Sequence, residues 1–469
     1  MKRNLIYTIV CGLLSATTLT SCNDFLSVDQ EGRATIPSFL GDPSGLRASL
    51  VGAYNEMYSY LDNEFTKYPD VAGNMATMPS GYSGDMVAQY NYTSDPSQET
   101  GAVGYIWRKI YVAQANVNNV IQYAPTVAAA YPTDKAGCDN ILGQALLLRA
   151  ICHFDQCRAY AQPYNYTTDA SHLGVPVLTE TPGSDDNVSR KSVKEVYTQV
   201  LADLAQASTL LSDEVASDFR YASLQAVNAM YSRVYLYMED WQNALAYARR
   251  AIAGQQLAEG SNYLRMYSDL SYQGEAIFRL SGKERRGYLK SFYQSNCLPA
   301  DTLLSLFDNG DLRLQLLRNG GTKQCLKYEA TTIPDNETNR DDPFVFRLSE
   351  EYLNAAEAAC NLGDYSTARQ YIGAIVRRAI GQTKGDSVLA ACPDANLLAL
   401  VRRERVKELC FEGHNLFDIT RWKQDLVREH NTTSSVRYLS YPNDRFVLPI
   451  PQTELNANTN MQGNPTVNQ

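Results

Sequence analysis

Two stretches of this chain carry the same local pattern. Tyr237-Met238-Glu239-Asp240-Trp241-Gln242-Asn243-Ala244 and Asn361-Leu362-Gly363-Asp364-Tyr365-Ser366-Thr367-Ala368 each read as the end of one helix and the start of the next. Both have a tight acidic turn, an aromatic residue, and an Ala after two intervening residues. Trp241 and Tyr365 lie 124 residues apart. Helix pairs of this kind bury their apolar faces only by stacking on further pairs. The pattern therefore commits much of the chain to stacked helices.

The turn chemistry and the small residues where helices touch resemble a tetratricopeptide helix pair. Helical spacing elsewhere agrees with it. Leu46, Leu50, Ala53 and Met57 recur at three- and four-residue intervals from Pro43. Helices are expected over 105–123, 140–160, with Pro163 as a stop, and 192–211. Ser192 with Glu195 three residues on forms a capping box. The expected class is mainly α, a tetratricopeptide-like α/α scaffold with a loop-rich, irregular second half and a few short strands. Scaffold is expected over about 43–253 and 350–425, and a loop-rich insertion over about 255–345, within one domain from 43 to 469. Residues 66–104 are rich in Gly, Ser, Asn, Asp and Tyr and read as a long loop. Tyr90 and Tyr92, alternating around Asn91, read as strand. Trp107, Trp241 and Trp422 read as core.

The N-terminus reads as an export signal. Lys2 and Arg3 precede a mostly apolar run from Leu5 to Leu14. A bilayer span needs about 20 apolar residues, so this run fits a signal peptide instead. Leu19-Thr20-Ser21-Cys22 resembles a bacterial lipobox, with 1–21 removed, Cys22 acylated and 22–42 serving as anchor and tether. The mature chain loses Lys2 and Arg3 and no acid, so its net charge moves from −9 to −11. Nucleic acid needs a basic face, which argues against it as a partner. Eight of the ten Cys remain after Cys11 and Cys22 are set aside. Eight thiols allow 105 pairings, so their connectivity cannot be read. Cys152, Cys157, Cys360 and Cys410 sit among apolar helical residues, as free buried thiols do. His153, His172, His414 and His430 form no metal-ligand spacing, and no metal or cofactor is expected.

Six segments in order resemble the SusD/RagB family of outer-membrane nutrient-binding lipoproteins. They are the lipobox followed by Asn23-Asp24-Phe25-Leu26; Leu148-Arg149-Ala150-Ile151-Cys152-His153-Phe154; Gly174-Val175-Pro176-Val177; the helix from Arg190 to Leu204; the stretch from Arg402 to Trp422; and the tail with Leu448-Pro449-Ile450-Pro451 and Gln462-Gly463-Asn464-Pro465. The resemblance covers nearly the whole mature chain. It implies a helical scaffold with an irregular half laid across it and no catalytic residues. It also implies a surface lipoprotein on the outer membrane, partnered with a SusC-like TonB-dependent transporter. The expected ligand is a glycan, with a peptide as the alternative.

The 402–422 stretch also invites a catalytic reading, because Glu404, Glu408 and Glu412 share one helix stripe. Glycoside hydrolysis needs two carboxylates facing each other across a sugar, about 5 to 10 Å apart. Arg402, Arg403, Arg405 and Lys407 are interleaved, so an ion-pair network is the expected role, with Arg149 packed nearby. His414 reads as a satisfied structural residue, and Phe411 and Phe417 as core. Sugar rings stack on exposed aromatic faces, so ligand contacts are sought in loops. Tyr82 and Asp85, within Ser80-Gly81-Tyr82-Ser83-Gly84-Asp85, lead; Tyr288 and Tyr293 follow. An exported glycoside hydrolase would also bind glycan. A periplasmic solute-binding protein would alternate strands and helices, which this chain does not.

Overall fold

The structure, a computed structural model, describes residues 36–183, 186–212 and 218–465. The expected signal peptide, the expected Cys22 anchor and most of the expected 22–42 tether lie outside the described residues. Long helices dominate: Pro43–Leu61, Ala102–Ala130, Lys135–Tyr160, Val193–Leu210, Leu224–Tyr237 and Trp241–Ile252, then Leu348–Asn361, Tyr365–Ile380 and Asp394–Leu409. Each packs on its neighbour in that order, and Trp241–Ile252 packs directly on Leu348–Asn361. The two related turns are thus brought together although residues 253–347 intervene.

Local chemistry sets these boundaries. The carboxylate of Asp42 accepts the Gly45 N–H at 2.8 Å and starts the first long helix. The Ser192–Glu195 capping box is present. Asp240 accepts the Asn243 N–H at 3.2 Å, and Asp364 accepts the Thr367 N–H at 3.0 Å. The same cap therefore opens both related helices. Ala244, Ala248, Ala355, Ala356, Ala359 and Ala368 are all buried where these helices meet. Their small side chains let the backbones approach closely.

The second half is laid across this scaffold as short pieces. Strand Ala276–Arg279 pairs antiparallel with Phe344–Arg347, and these two strands bracket the irregular insertion. Three further antiparallel two-residue pairs join Ala76–Thr77 to Leu298–Pro299, Arg318–Asn319 to Thr322–Lys323, and Leu426–Val427 to Tyr438–Leu439.

Buried charge fastens the two halves. Glu408 accepts from Arg347 at 2.9 Å and Arg313 at 3.3 Å, and pairs with Arg378 at 2.6 Å. Glu404 pairs with Arg313 at 2.7 Å, and Glu412 with Arg347 at 2.6 Å and with Lys327. The cations come from the insertion, the strand that closes it, and the Tyr365–Ile380 helix. Arg149 is not part of this network; it pairs with Asp203 at 2.6 Å. On the far side, Arg405 donates to Asp418 at 2.8 Å, and Arg421 forks onto Glu357 at 2.8 and 2.7 Å.

The structure corrects several expectations. Residues 66–104 are not one long loop. Glu64–Ala72 is a helix buried along its whole length, and Val87–Tyr90 is a short helix. A helix buried on every side shows no amphipathic stripe, and Lys67, Pro69 and Asp70 disguise this one further. Tyr90 and Tyr92 are not strand: Tyr90 closes the short helix and Tyr92 has φ 55°. The Arg428 guanidinium covers both rings, 4.7 and 5.4 Å from their centroids. Trp241 and Trp422 are only half-buried, whereas Trp107 is buried. His414 is buried, but its Nδ1 has no partner. The eight thiols among the described residues are all free, and all but Cys392 are buried.

Candidate ligand-binding site

The buried Glu64–Ala72 helix supplies one side chain that reaches toward the surface. Lys67 runs outward, with its ammonium hydrogen-bonded to Asn63 and paired with Asp85 at 3.0 Å. The Lys67 side chain is 4% exposed and that of Asp85 38%, so one partner of this pair is sealed and the other faces water. The ammonium also stands 4.9 Å from the Phe292 ring centroid and 5.9 Å from that of Tyr288. Such cation–π contacts hold a ring face in place.

Tyr82 enters the patch from a tight turn. Its N–H donates to the Pro79 carbonyl at 3.1 Å, and Gly81 supplies the positive φ of 77° that the turn requires. The hydroxyl folds back over Gly84, where a Cβ would lie 2.5 Å from it. Burial, then the Asp85 charge, raises the Tyr82 hydroxyl above its ordinary pKa, while the Asp85 N–H opposes this by bonding the oxygen. The ring is half-buried and keeps one side toward solvent.

Tyr288 comes from the insertion and is 49% exposed. Asp85 and Tyr288, expected separately as ligand contacts, thus both meet one buried lysine, and Tyr82 neighbours it through Asp85. Tyr293 does not join them. It is 0% exposed, stacked on Tyr328 at 5.4 Å, and its hydroxyl donates to Asp70 at 2.7 Å. The Leu289–Ser295 helix turns positions 288 and 293 to opposite environments, which withdraws Tyr293 as a stacking surface.

Sequence reasoning missed Lys67, Glu64 and Tyr105. Burial pushes the Glu64 carboxyl up to about 7 against the pull of Lys67, and its Oε2 has no partner. The Tyr105 hydroxyl donates to the Ser59 carbonyl at 3.3 Å. Its pKa rises to about 12, through burial first and then the Glu64 charge. Nothing in the sequence marks Glu64 and Lys67, because their helix is buried along its whole length.

The patch can present apolar ring faces beside hydrogen-bonding groups, the combination that a sugar ring demands. The Glu404–Glu408–Glu412 stripe is buried and committed to cations. Among the described residues no three His, Cys, Asp or Glu side chains are grouped so as to hold a metal. A separate groove of about 590 Å³ runs along the Ala102–Ala130 helix, lined by Trp107, Tyr111, Pro176, Leu178 and Pro451.

Comparison with known proteins agrees with this architecture. Residues 24–236 match a family model described as starch-binding and associating with the outer membrane. Residues 317–466 match the SusD family model. A SusD-like protein, P25, from Formosa agariphila is 22% identical, aligned over 93% of this chain and 94% of its own length. A SusD superfamily structure from Bacteroides thetaiotaomicron is 25% identical, with a TM-score of 0.81, covering 91% of this chain and all of the other. A putative sugar binding protein from Bacteroides vulgatus is 27% identical, with a TM-score of 0.79, covering 90% and 98%.

Proposed function

Because this chain belongs to the SusD/RagB family, we propose that it is an outer-membrane lipoprotein that binds a glycan at the cell surface. In this reading it passes that glycan to a SusC-like TonB-dependent transporter for import and carries out no catalysis. The observation that carries the proposal is the pairing of Lys67 with Asp85 and the Tyr288 ring, with Tyr82 beside Asp85. Rings and polar groups there meet both faces of a sugar. The starch-binding description of the matching family and the sugar-binding name of a structural neighbour support it. The lipobox at Leu19-Thr20-Ser21-Cys22 supports the membrane attachment.

A net charge of −11 after signal removal disfavours a strongly anionic polymer, so a neutral glycan is the first class to test. The chain from residue 23 onward, run on native gels cast with a panel of polysaccharides, is expected to be retarded by at least one of them. Calorimetry with a peptide pool runs in parallel. Heat from peptides with no retardation by any glycan would move the protein to the peptide-importing branch. Release of reducing ends from a polysaccharide would instead make it a hydrolase.

A further inference from the structure

The backbone from Tyr288 to Lys290 is held by two acids from distant parts of the chain. Asp62 closes the Pro43–Leu61 helix, and its Oδ2 accepts the Tyr288 N–H at 3.1 Å. Asp341 lies just before the Phe344–Arg347 strand, and its Oδ2 accepts the Lys290 N–H at 3.0 Å, with the Leu289 N–H also directed at it. Three successive amides therefore point at one pair of carboxyl groups. Gly287 fits only because it lacks a side chain, since a Cβ there would lie 2.3 Å from Asp341 Oδ2.

Asp62 and Asp341 accept amides only two residues apart, so their carboxyl groups are neighbours, close enough for the Asp341 charge to act on Asp62. Both residues are 1% exposed, and in each the second oxygen, Oδ1, is buried with no partner. Two neighbouring buried carboxylates repel strongly, whereas one proton between them makes an O–H···O⁻ bond. The surrounding groups relieve that repulsion only in part: burial outweighs the Tyr58 hydroxyl and the Lys67 charge at Asp62, and the Lys290 charge at Asp341. Lys67 is held by Asp85 and Asn63, Lys290 pairs with Glu329 at 3.1 Å, and Arg340 pairs with Asp342 at 2.8 Å. Tyr58 donates to the Asp341 carbonyl at 3.0 Å. Tyr58 and Tyr328, titratable groups that face the pair, add only negative charge when they ionise.

We propose that Asp62 and Asp341 share a single proton and thereby act as positioning residues that hold Tyr288 in the ligand patch. This deepens the glycan-binding reading and rests on it for its consequence, but the latch itself exists without ligand. The titration supports the geometry. Burial, then the Asp341 charge, pushes Asp62 well above the ordinary carboxylate range, and burial pushes Asp341 up to about 6. Carboxyls raised in the folded state bind more protons than in the unfolded chain. The latch is therefore firm on the acid side and loosens as pH rises through the titration of the pair.

The test is amide hydrogen exchange of residues 287–290 in the ligand-free protein, from about pH 5.5 to about pH 8.5, corrected for intrinsic exchange. In the native protein, protection is expected to fall by up to about tenfold per pH unit once the shared proton titrates. In Asp62→Asn an amide N–H stands where the proton stood, so protection should stay level across the range. Asp341→Asn, made from the other side, should behave alike and guards against loss of one variant to misfolding. Identical protection in the native protein and both variants at every pH overturns the proposal. The readout needs no glycan, so failure to bind glycan would sink the functional reading and leave this result standing on its own.

Discussion

Glu408→Ala is expected to lower the stability of the folded chain by about 3–5 kcal/mol, the cost of removing one partner from a buried ion pair. Glu408 is fully buried and meets Arg313, Arg347 and Arg378, together with the Tyr263 hydroxyl at 3.2 Å. Burial alone would raise its carboxyl pKa. The charges of Arg378, Arg347, Arg313 and Lys327 outweigh burial and hold it well below the usual range. A depressed folded pKa means that the stabilisation is full above the unfolded value and is lost as pH falls through the folded one. Removing the carboxylate leaves guanidinium groups short of countercharge where the insertion, the Asp394–Leu409 helix and the Tyr365–Ile380 helix converge. Arg347 and Arg378 retain Glu275, and Arg313 retains Asp311 and Glu404, so the chain is expected to fold at reduced stability. Denaturant unfolding at neutral pH measures the effect. An unfolding free energy within about 1 kcal/mol of the native protein's would refute the view that this network fastens the two halves.

Cys22→Ser is expected to abolish lipid attachment altogether. Each buried acyl CH₂ contributes about 0.8 kcal/mol, and one short chain binds only marginally, so stable anchoring depends on the several chains that a lipoprotein cysteine carries. No helix among the described residues is long and apolar enough to cross a membrane. Expressed in a bacterial host with labelled palmitate, the native chain should take up label and sediment with membranes. The Ser variant should take up none and appear in the soluble fraction after a high-salt wash. Label incorporated equally into both proteins would contradict the lipobox reading of Leu19-Thr20-Ser21-Cys22.

The scaffold was legible because its signals are local. Leu46, Leu50, Ala53 and Met57 mark a buried stripe, and Ser192 with Glu195 marks a helix start within four residues. The acidic caps Asp240 and Asp364 disclosed the repeat before any contact was known. The Glu64–Ala72 helix was not legible, because burial on all sides erases the contrast that periodicity depends on. The ion-pair role of Glu404, Glu408 and Glu412 followed from their interleaved cations. Their actual partners, Arg313, Arg347 and Arg378, lie in segments that only tertiary folding brings near.

The candidate site was legible in part for the same reason. Gly81 and Gly84 announce a turn that holds Tyr82 near the surface. Tyr288 and Tyr293 sit five positions apart in one aromatic segment, and composition cannot separate them. The separation comes from Asp70, which draws the Tyr293 hydroxyl inward, while Asp62 holds the Tyr288 N–H and Asp341 the Lys290 N–H at the rim. Lys67 lies far from Tyr288 in the chain, and it is the group that joins Asp85 to the Tyr288 ring.

The central claim is that the face made by Tyr82 and Tyr288 captures a glycan, and calorimetric titration tests it most directly. The polysaccharide that retards the native protein on gels would be titrated into that protein and into a Tyr82→Ala, Tyr288→Ala double variant, with circular dichroism confirming that both are folded. Ring stacking of about 0.5–1.5 kcal/mol per aromatic contact, added to the lost apolar area, predicts a loss of affinity of at least about tenfold. A double variant that binds the same glycan with unchanged affinity would place the ligand elsewhere, with the Trp107–Tyr111 groove next in line, and would contradict the account.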